Sequence, residues 1–381
     1  MKVRGISVFN EKPIEVEVKG GFIENINLLL KSDQNLPYIS PGFFDLQVNG
    51  YKGSDYSLED FLEEHLENII TELAASGTTQ HIPTIVSSPQ EIILVNLKII
   101  SKAINFSPDI NEAIPGIHIE GPFISPEEGP RGCHDQSFIR NPDFEEFRQW
   151  QEAAEGRIVM VTIAPEREGS MDFIRKVTRT GVKIAIGHTG AAPEIIKEAV
   201  EAGAQFSTHL GNGSYQILPK VKNYIWEQLA ADELFTGIIC DGFHLPASTV
   251  KVFARAKGLE RLILTSDVAL AGGLNPGIYK WGNMEVEVRL DGHLGLAGTG
   301  ILAGAGHFLN WDIAHFIRFT GNNLANTIPL CTTNPAKIIE MPNNYGKLEV
   351  GAPANLTLFH YQAGDDRLQI VHTLCKGSVI F

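Results

Sequence analysis

The chain is built from short apolar runs, each closed by a polar signature. They read Ile117-His118-Ile119-Glu120-Gly121-Pro122, Ala185-Ile186-Gly187-His188-Thr189-Gly190, Phe206-Ser207-Thr208-His209-Leu210, Cys240-Asp241-Gly242-Phe243-His244 and Leu264-Thr265-Ser266-Asp267. Apolar runs of this length suit strands buried on both faces, as in a parallel sheet covered by helices. The strand candidates are 42–47, 80–85, 116–120, 158–164, 182–187, 204–208, 237–240 and 262–266, with helical patterns between most of them, such as 194–202 and 249–257. Ser57, with Asp60 three residues on, predicts a helix start. Leu58, Phe61, Leu62, Leu66, Ile69, Ile70 and Leu73 keep helical spacing up to Gly77. Strands alternating with helices in this way predict an α/β chain, a (β/α)8 TIM barrel over 41–340.

The two ends read differently. Residues 1–40 are strand-like, with alternation in Ile14-Glu15-Val16-Glu17-Val18 and a Gly20-Gly21 turn, and residues 341–381 share that character. Neither piece can bury a core alone, so the two together are expected to form a small, discontinuous β-sandwich domain. Residues 274–298 break the barrel rhythm and read as an inserted β-hairpin around Asp291-Gly292. A length of 381 residues suits one barrel plus a minor appendage, and 37 glycines suit its many tight loops.

The formal net charge of −14 leaves no basic stripe to neutralise phosphates, which argues against a nucleic-acid partner. It does not argue against a small anionic substrate, because local cations and backbone N–H groups set that affinity. Cys133, Cys240, Cys331 and Cys375 form no Cys-x-x-Cys pair and suit reduced thiols of an intracellular protein. Residues 1–20 lack the apolar core of a signal peptide, and no apolar stretch reaches the roughly 18 residues needed to cross a bilayer. The expectation is a cytoplasmic protein without a membrane partner.

In a barrel of this kind the strand C-terminal ends face one site, so Glu120, His188, His209, His244 and Asp267 converge if the strands are placed correctly. Each has a plainer reading alone: Glu120 as a loop acid or helix cap, His188 and His209 as satisfied loop histidines, Asp267 as a cap. Together they suit a divalent metal with an acid/base beside it. Glu120, His188 and His209 supply the His2Glu set of a hydrolytic zinc site, which leaves a position open for water. Such an ion lowers the water's pKa from about 15.7 to near 7 and polarises a carbonyl oxygen. Zinc is the first choice, with iron, manganese or cobalt also accepting this ligation. His81 and His118 lie inside strands, which suits supporting or core roles. His65, His293, His307, His315, His360 and His372 suit surface or packing roles.

These residues carry a family resemblance. The run Pro41-Gly42-Phe43-Phe44-Asp45-Leu46-Gln47-Val48-Asn49-Gly50, the motifs around Glu120, His188, His209, His244 and Asp267, and Ala164-Pro165-Glu166 together resemble the N-acetylglucosamine-6-phosphate deacetylase family of the amidohydrolase superfamily. The likeness continues through Leu302-Ala303-Gly304 and Asn334-Pro335-Ala336 to Gly346–Gly351. It implies Glu120, His188 and His209 as metal ligands, Asp267 as general base and then acid, and His244 polarising the substrate carbonyl. It also implies substrate contacts from His134, Asn212, Gly213, His244 and Leu302, and a homodimer. Gln47-Val48-Asn49 stands where many superfamily members carry the His-x-His of a second metal, which implies one metal ion here. After His209 the chain reads Gly213-Ser214 where the family has Ala-Met, and no Arg lies between Leu210 and Asp241. Lys220, Lys222 and Arg131 are then the candidate contacts for a substrate phosphate. The implied reaction is hydrolysis of the N-acetyl amide of an amino sugar, with N-acetylglucosamine 6-phosphate first and another N-acyl or non-phosphorylated substrate second.

Overall fold

The structure, a computed structural model, describes residues 1–30 and 35–381. Residues 31–34, within the strand-like opening segment, lie outside the described residues. Eight strands form one sheet: Phe43–Val48, Thr78–Val86, Ile117–Glu120, Ile158–Ile163, Lys183–Ile186, Phe206–Ser207, Phe235–Ile238 and Leu262–Leu264. Each pairs parallel with the next. The ring closes just past the last strand, where Val268 bridges Val48 in parallel and the Asp267 amide donates to the Gln47 carbonyl at 3.1 Å.

The period of two along each strand decides which side chains enter the barrel. Ile117, Ile119, Val161, Ile163, Ile184 and Ile186 point outward into the core beneath the helices. Phe44, Leu46, Ile82, Met160, Ala185, Phe206, Phe235 and Ile263 belong to a separate inner cluster. The same parity turns His118 and Glu120 inward. Above the apolar layer lies a polar one, in which His118 Nε2 meets Thr162 Oγ1 at 2.7 Å and Thr162 Oγ1 meets Thr208 Oγ1 at 2.8 Å. The metal-type side chains stand on top of this layer, at the strand ends.

Three sequence expectations change in detail. The first barrel helix runs Glu63–Ala75 and does not begin at Ser57. Ser57 is engaged elsewhere: its hydroxyl accepts the Val86 amide at 2.9 Å and its own amide donates to Asp55 at 2.7 Å. The insertion near 274–298 has three antiparallel strands, Gly277–Trp281, Met284–Val288 and Leu294–Leu296, where a two-stranded hairpin was expected. The third strand exists because Leu294 shares an apolar cluster with Trp281, Val286 and Val288. The terminal strands join as one continuous seven-stranded sheet, in which Tyr38–Pro41 links the N-terminal strands to Leu356–His360. Residues from both ends, including Val16, Ile39, Leu356 and Leu374, share its core.

All four cysteines are free. Among the described residues no helix is long and apolar enough to cross a membrane.

Candidate active site

The strand ends open into a cavity of about 510 Å³ lined by Glu120, His134, His188, His209, His244 and Asp267, among others. His209 Nε2 lies 2.9 Å and His188 Nε2 3.4 Å from the same Glu120 oxygen, Oε1. All three side chains are buried. Burial alone raises the Glu120 carboxyl, but hydrogen bonding with His188 and His209 outweighs it and holds the group well below the ordinary carboxylate range. The same contact raises His209, against the lowering effect of burial.

The loop that presents His188 is held from two sides. Glu166 accepts from Thr189 Oγ1 at 2.5 Å and from the Gly190 amide at 2.8 Å. His188 Nδ1 sits 2.9 Å from the Pro130 carbonyl. A carbonyl only accepts, so Nδ1 is the donor in that contact, and the opposite ring nitrogen, Nε2, is the one turned toward Glu120. Two imidazole nitrogens turned to one carboxylate oxygen are the His2Glu donors that a divalent cation takes. No lysine or arginine lies among the described residues that line the cavity. The donor set therefore fits a divalent ion.

His134, expected as a substrate contact, comes closer than the sequence suggested. Glu120, His134 and His188 each place one donor atom within 4.8 Å of the others. The Nδ1 of His134 is bonded to Ser87 Oγ at 2.9 Å, and burial lowers its pKa to about 3, so it stays neutral.

Asp267 is fixed by two amides. Gln47 Nε2 donates to Asp267 Oδ1 at 2.8 Å and to Glu120 Oε2 at 2.9 Å, and Asn49 Nδ2 donates to the same Asp267 oxygen at 2.7 Å. Burial raises the Asp267 carboxyl above its ordinary value, and the neighbouring His209 and His244 only partly offset this. Beneath it, buried Asp45 accepts from Thr265 Oγ1 at 2.9 Å and from the Ser266 amide at 3.1 Å, which ties the first strand to the residues just before Asp267.

His244 Nδ1 lies 2.8 Å from Asp241 Oδ2, and Asp241 Oδ1 accepts the amides of Phe243 and His244 at 2.8 and 2.9 Å. Burial opposes ionisation of Asp241, but these partners prevail and bring it down to about 2. Asp241 thus sets the orientation of the ring whose Nε2 is left for the cavity.

Asn212, Gly213 and Leu302 all line the cavity. Gly213 has φ +54°, and a Cβ there would come within 2.7 Å of His188 Nδ1, so the alanine of the family pattern has no room at this position. The basic candidates fare differently. Lys222 pairs with Glu194 at 2.5 Å, Arg131 bonds Gln136 at 2.9 Å, and neither they nor Lys220 line the cavity. His81 and His118 are not at the cavity: His81 pairs with Tyr56 and His118 with Thr162. Sequence reasoning missed Ser87, whose partner is remote in the chain, and Trp281, which reaches the cavity from the inserted sheet.

Comparison with known proteins gives the family and the fold. Residues 38–380 match the amidohydrolase family. The chain is 31% identical over 344 residues to the N-acetylglucosamine-6-phosphate deacetylase of Bacillus subtilis (strain 168), covering 90% of this chain and 84% of that protein. It is 30% identical over 358 residues to the enzyme of the same name from Rattus norvegicus, covering 90% and 83%. The crystal structure of N-acetylglucosamine-6-phosphate deacetylase from Pasteurella multocida superposes with a TM-score of 0.87 at 27% identity, covering 99% of this chain and 98% of that one. The chain therefore belongs to the amidohydrolase family, among the N-acetylglucosamine-6-phosphate deacetylases.

Proposed function

We propose that this protein hydrolyses the N-acetyl amide of N-acetylglucosamine 6-phosphate, giving glucosamine 6-phosphate and acetate. The observation that carries the reading is the meeting of Glu120, His188 and His209 with Asp267 and His244 around one buried centre. Glu120, His188 and His209 are the ligands of a single divalent ion, zinc first, because Gln47 and Asn49 occupy the ground of a second set. When bound, that ion lowers the pKa of water and polarises the acyl oxygen.

The protein's own residues do the rest. Asp267 accepts the proton of the attacking water as the new carbon–oxygen bond forms. It returns that proton to the amide nitrogen as the carbon–nitrogen bond breaks, so the amine leaves neutral. His244, its ring held by Asp241 through Nδ1, polarises the carbonyl oxygen from its Nε2 side; one such interaction contributes about 3–4 kcal/mol. His134, Asn212, Gly213 and Leu302 surround the sugar.

Acetate release from N-acetylglucosamine 6-phosphate by the purified protein tests the reading. Asp267→Asn should retain bound metal and lose about a thousandfold in kcat. Unchanged turnover overturns the assignment.

The absence of basic side chains among the described lining residues favours a second reading, a non-phosphorylated or different N-acyl substrate. A preference for the phosphorylated sugar below about tenfold in kcat/KM, or 1.4 kcal/mol, supports it. A larger preference calls for a cation from outside this cavity, as in a homodimer. Ile217 at the mouth is 90% exposed, and Val221 and Trp226 nearby in the chain are also exposed, which suits a surface covered by a second copy. A cytoplasmic location fits the free cysteines.

A further inference from the structure

Asn49 has a side chain that the fold only half uses. The residue is 3% exposed, lines the cavity beside Asp267, and donates from Nδ2 to Asp267 Oδ1 at 2.7 Å. An ionised carboxylate only accepts, so the amide nitrogen must be the atom that faces it. That leaves Oδ1 turned away from Asp267, and this buried oxygen has no hydrogen-bond partner among the described residues. Buried acceptors are nearly always satisfied, so one without a partner on a residue that lines a reaction cavity points to a donor that the ligand brings.

The proposed reaction brings one such donor. The scissile nitrogen must come to Asp267 to receive its proton, and in a secondary amide that nitrogen carries one N–H throughout. We propose that Asn49 Oδ1 accepts the N–H of the scissile amide, making Asn49 a substrate-reading residue that selects amides over esters. The inference rests on the deacetylase reading above. The same side chain also orients Asp267, through Nδ2, and the two roles make different predictions.

The test compares two substrates in wild type and Asn49→Ala: N-acetylglucosamine 6-phosphate and the 2-O-acetyl ester of glucose 6-phosphate, in which oxygen replaces N–H. Each ratio between enzymes cancels the intrinsic reactivity of the ester. If Asn49 reads the N–H, the substitution lowers kcat/KM for the amide by at least about tenfold more than for the ester, because only the amide loses a partner. If Asn49 only orients Asp267, both substrates lose equally, and the inference is overturned. A measurement on wild type alone covers the case in which Asn49→Ala fails to fold. There the ester should show a KM at least about tenfold above that of the amide, since its oxygen meets the Oδ1 lone pairs. Equal KM values overturn the inference. Wild type inactive on both substrates overturns the deacetylase reading and this inference with it.

Discussion

His188, His209 and Asp267 sit at φ of 50°, 26° and 54°, in the left-handed region that side chains rarely adopt. Each such residue costs on the order of 1–3 kcal/mol and persists where its surroundings over-determine it. Here the cause is positional: the chain turns sharply at the end of a barrel strand, which brings the side chain into the cavity. Gly213 shows how tightly this is packed, since a Cβ there would lie 2.7 Å from His188 Nδ1, the atom bonded to Pro130. Gly213→Ala should therefore displace the His188 ring and weaken metal affinity by about 10–100-fold, the usual effect of disturbing a ligand's support. Equilibrium dialysis against the metal, with circular dichroism to show the fold intact, checks it; unchanged affinity refutes it. Sequence alone could name His188, because a histidine after an apolar run is a local signal. It could register Gly213 only as a departure from a pattern, because the reason is a contact between two loops.

At the scale of elements, the strands were legible and the joints were not. Ile117, Ile119, Ile184 and Ile186 announce buried strands through local periodicity. Nothing local says that Ser57 will serve the Val86 amide and leave the helix to begin at Glu63. The joint between barrel and terminal sheet is likewise made by distant partners. Buried Glu112 accepts from Asn355 Nδ2 at 2.8 Å, Gln80 Nε2 at 3.2 Å and the Tyr345 hydroxyl at 3.2 Å, and pairs with Lys376 at 2.7 Å. Removing the carboxylate strands these donors together. Glu112→Ala should cost about 3 kcal/mol of stability, in the range for breaking a buried network. Glu112 lies on the short helix Pro108–Ala113 that precedes the third strand, and none of these four partners lines the cavity, so kcat should stay within about twofold of wild type. Urea unfolding and steady-state turnover on the same preparation check both parts. A kcat that falls with stability intact would show that the joint acts on the site.

For the whole molecule, buried neutral histidine sets the response to acid. His81 is fully enclosed; its Nε2 lies 2.7 Å from the Tyr56 hydroxyl, and burial lowers its pKa to about 3 despite a hydrogen bond to the Ala113 backbone. In the unfolded chain the same ring titrates near 6.5. Below that pH the unfolded state binds a proton that the folded state refuses, so stability is full above about 6.5 and falls as the pH drops toward 3. One proton corresponds to a slope of about 1.4 kcal/mol per pH unit over that window. His81→Gln keeps a polar partner for Tyr56 and removes the titration. Urea midpoints measured between pH 7 and 4 should therefore fall less steeply in the variant than in wild type, with the two curves separating only below about 6.5. Parallel curves across the range would mean that His81 takes up its proton without unfolding, and that the acid response lies in the other buried groups.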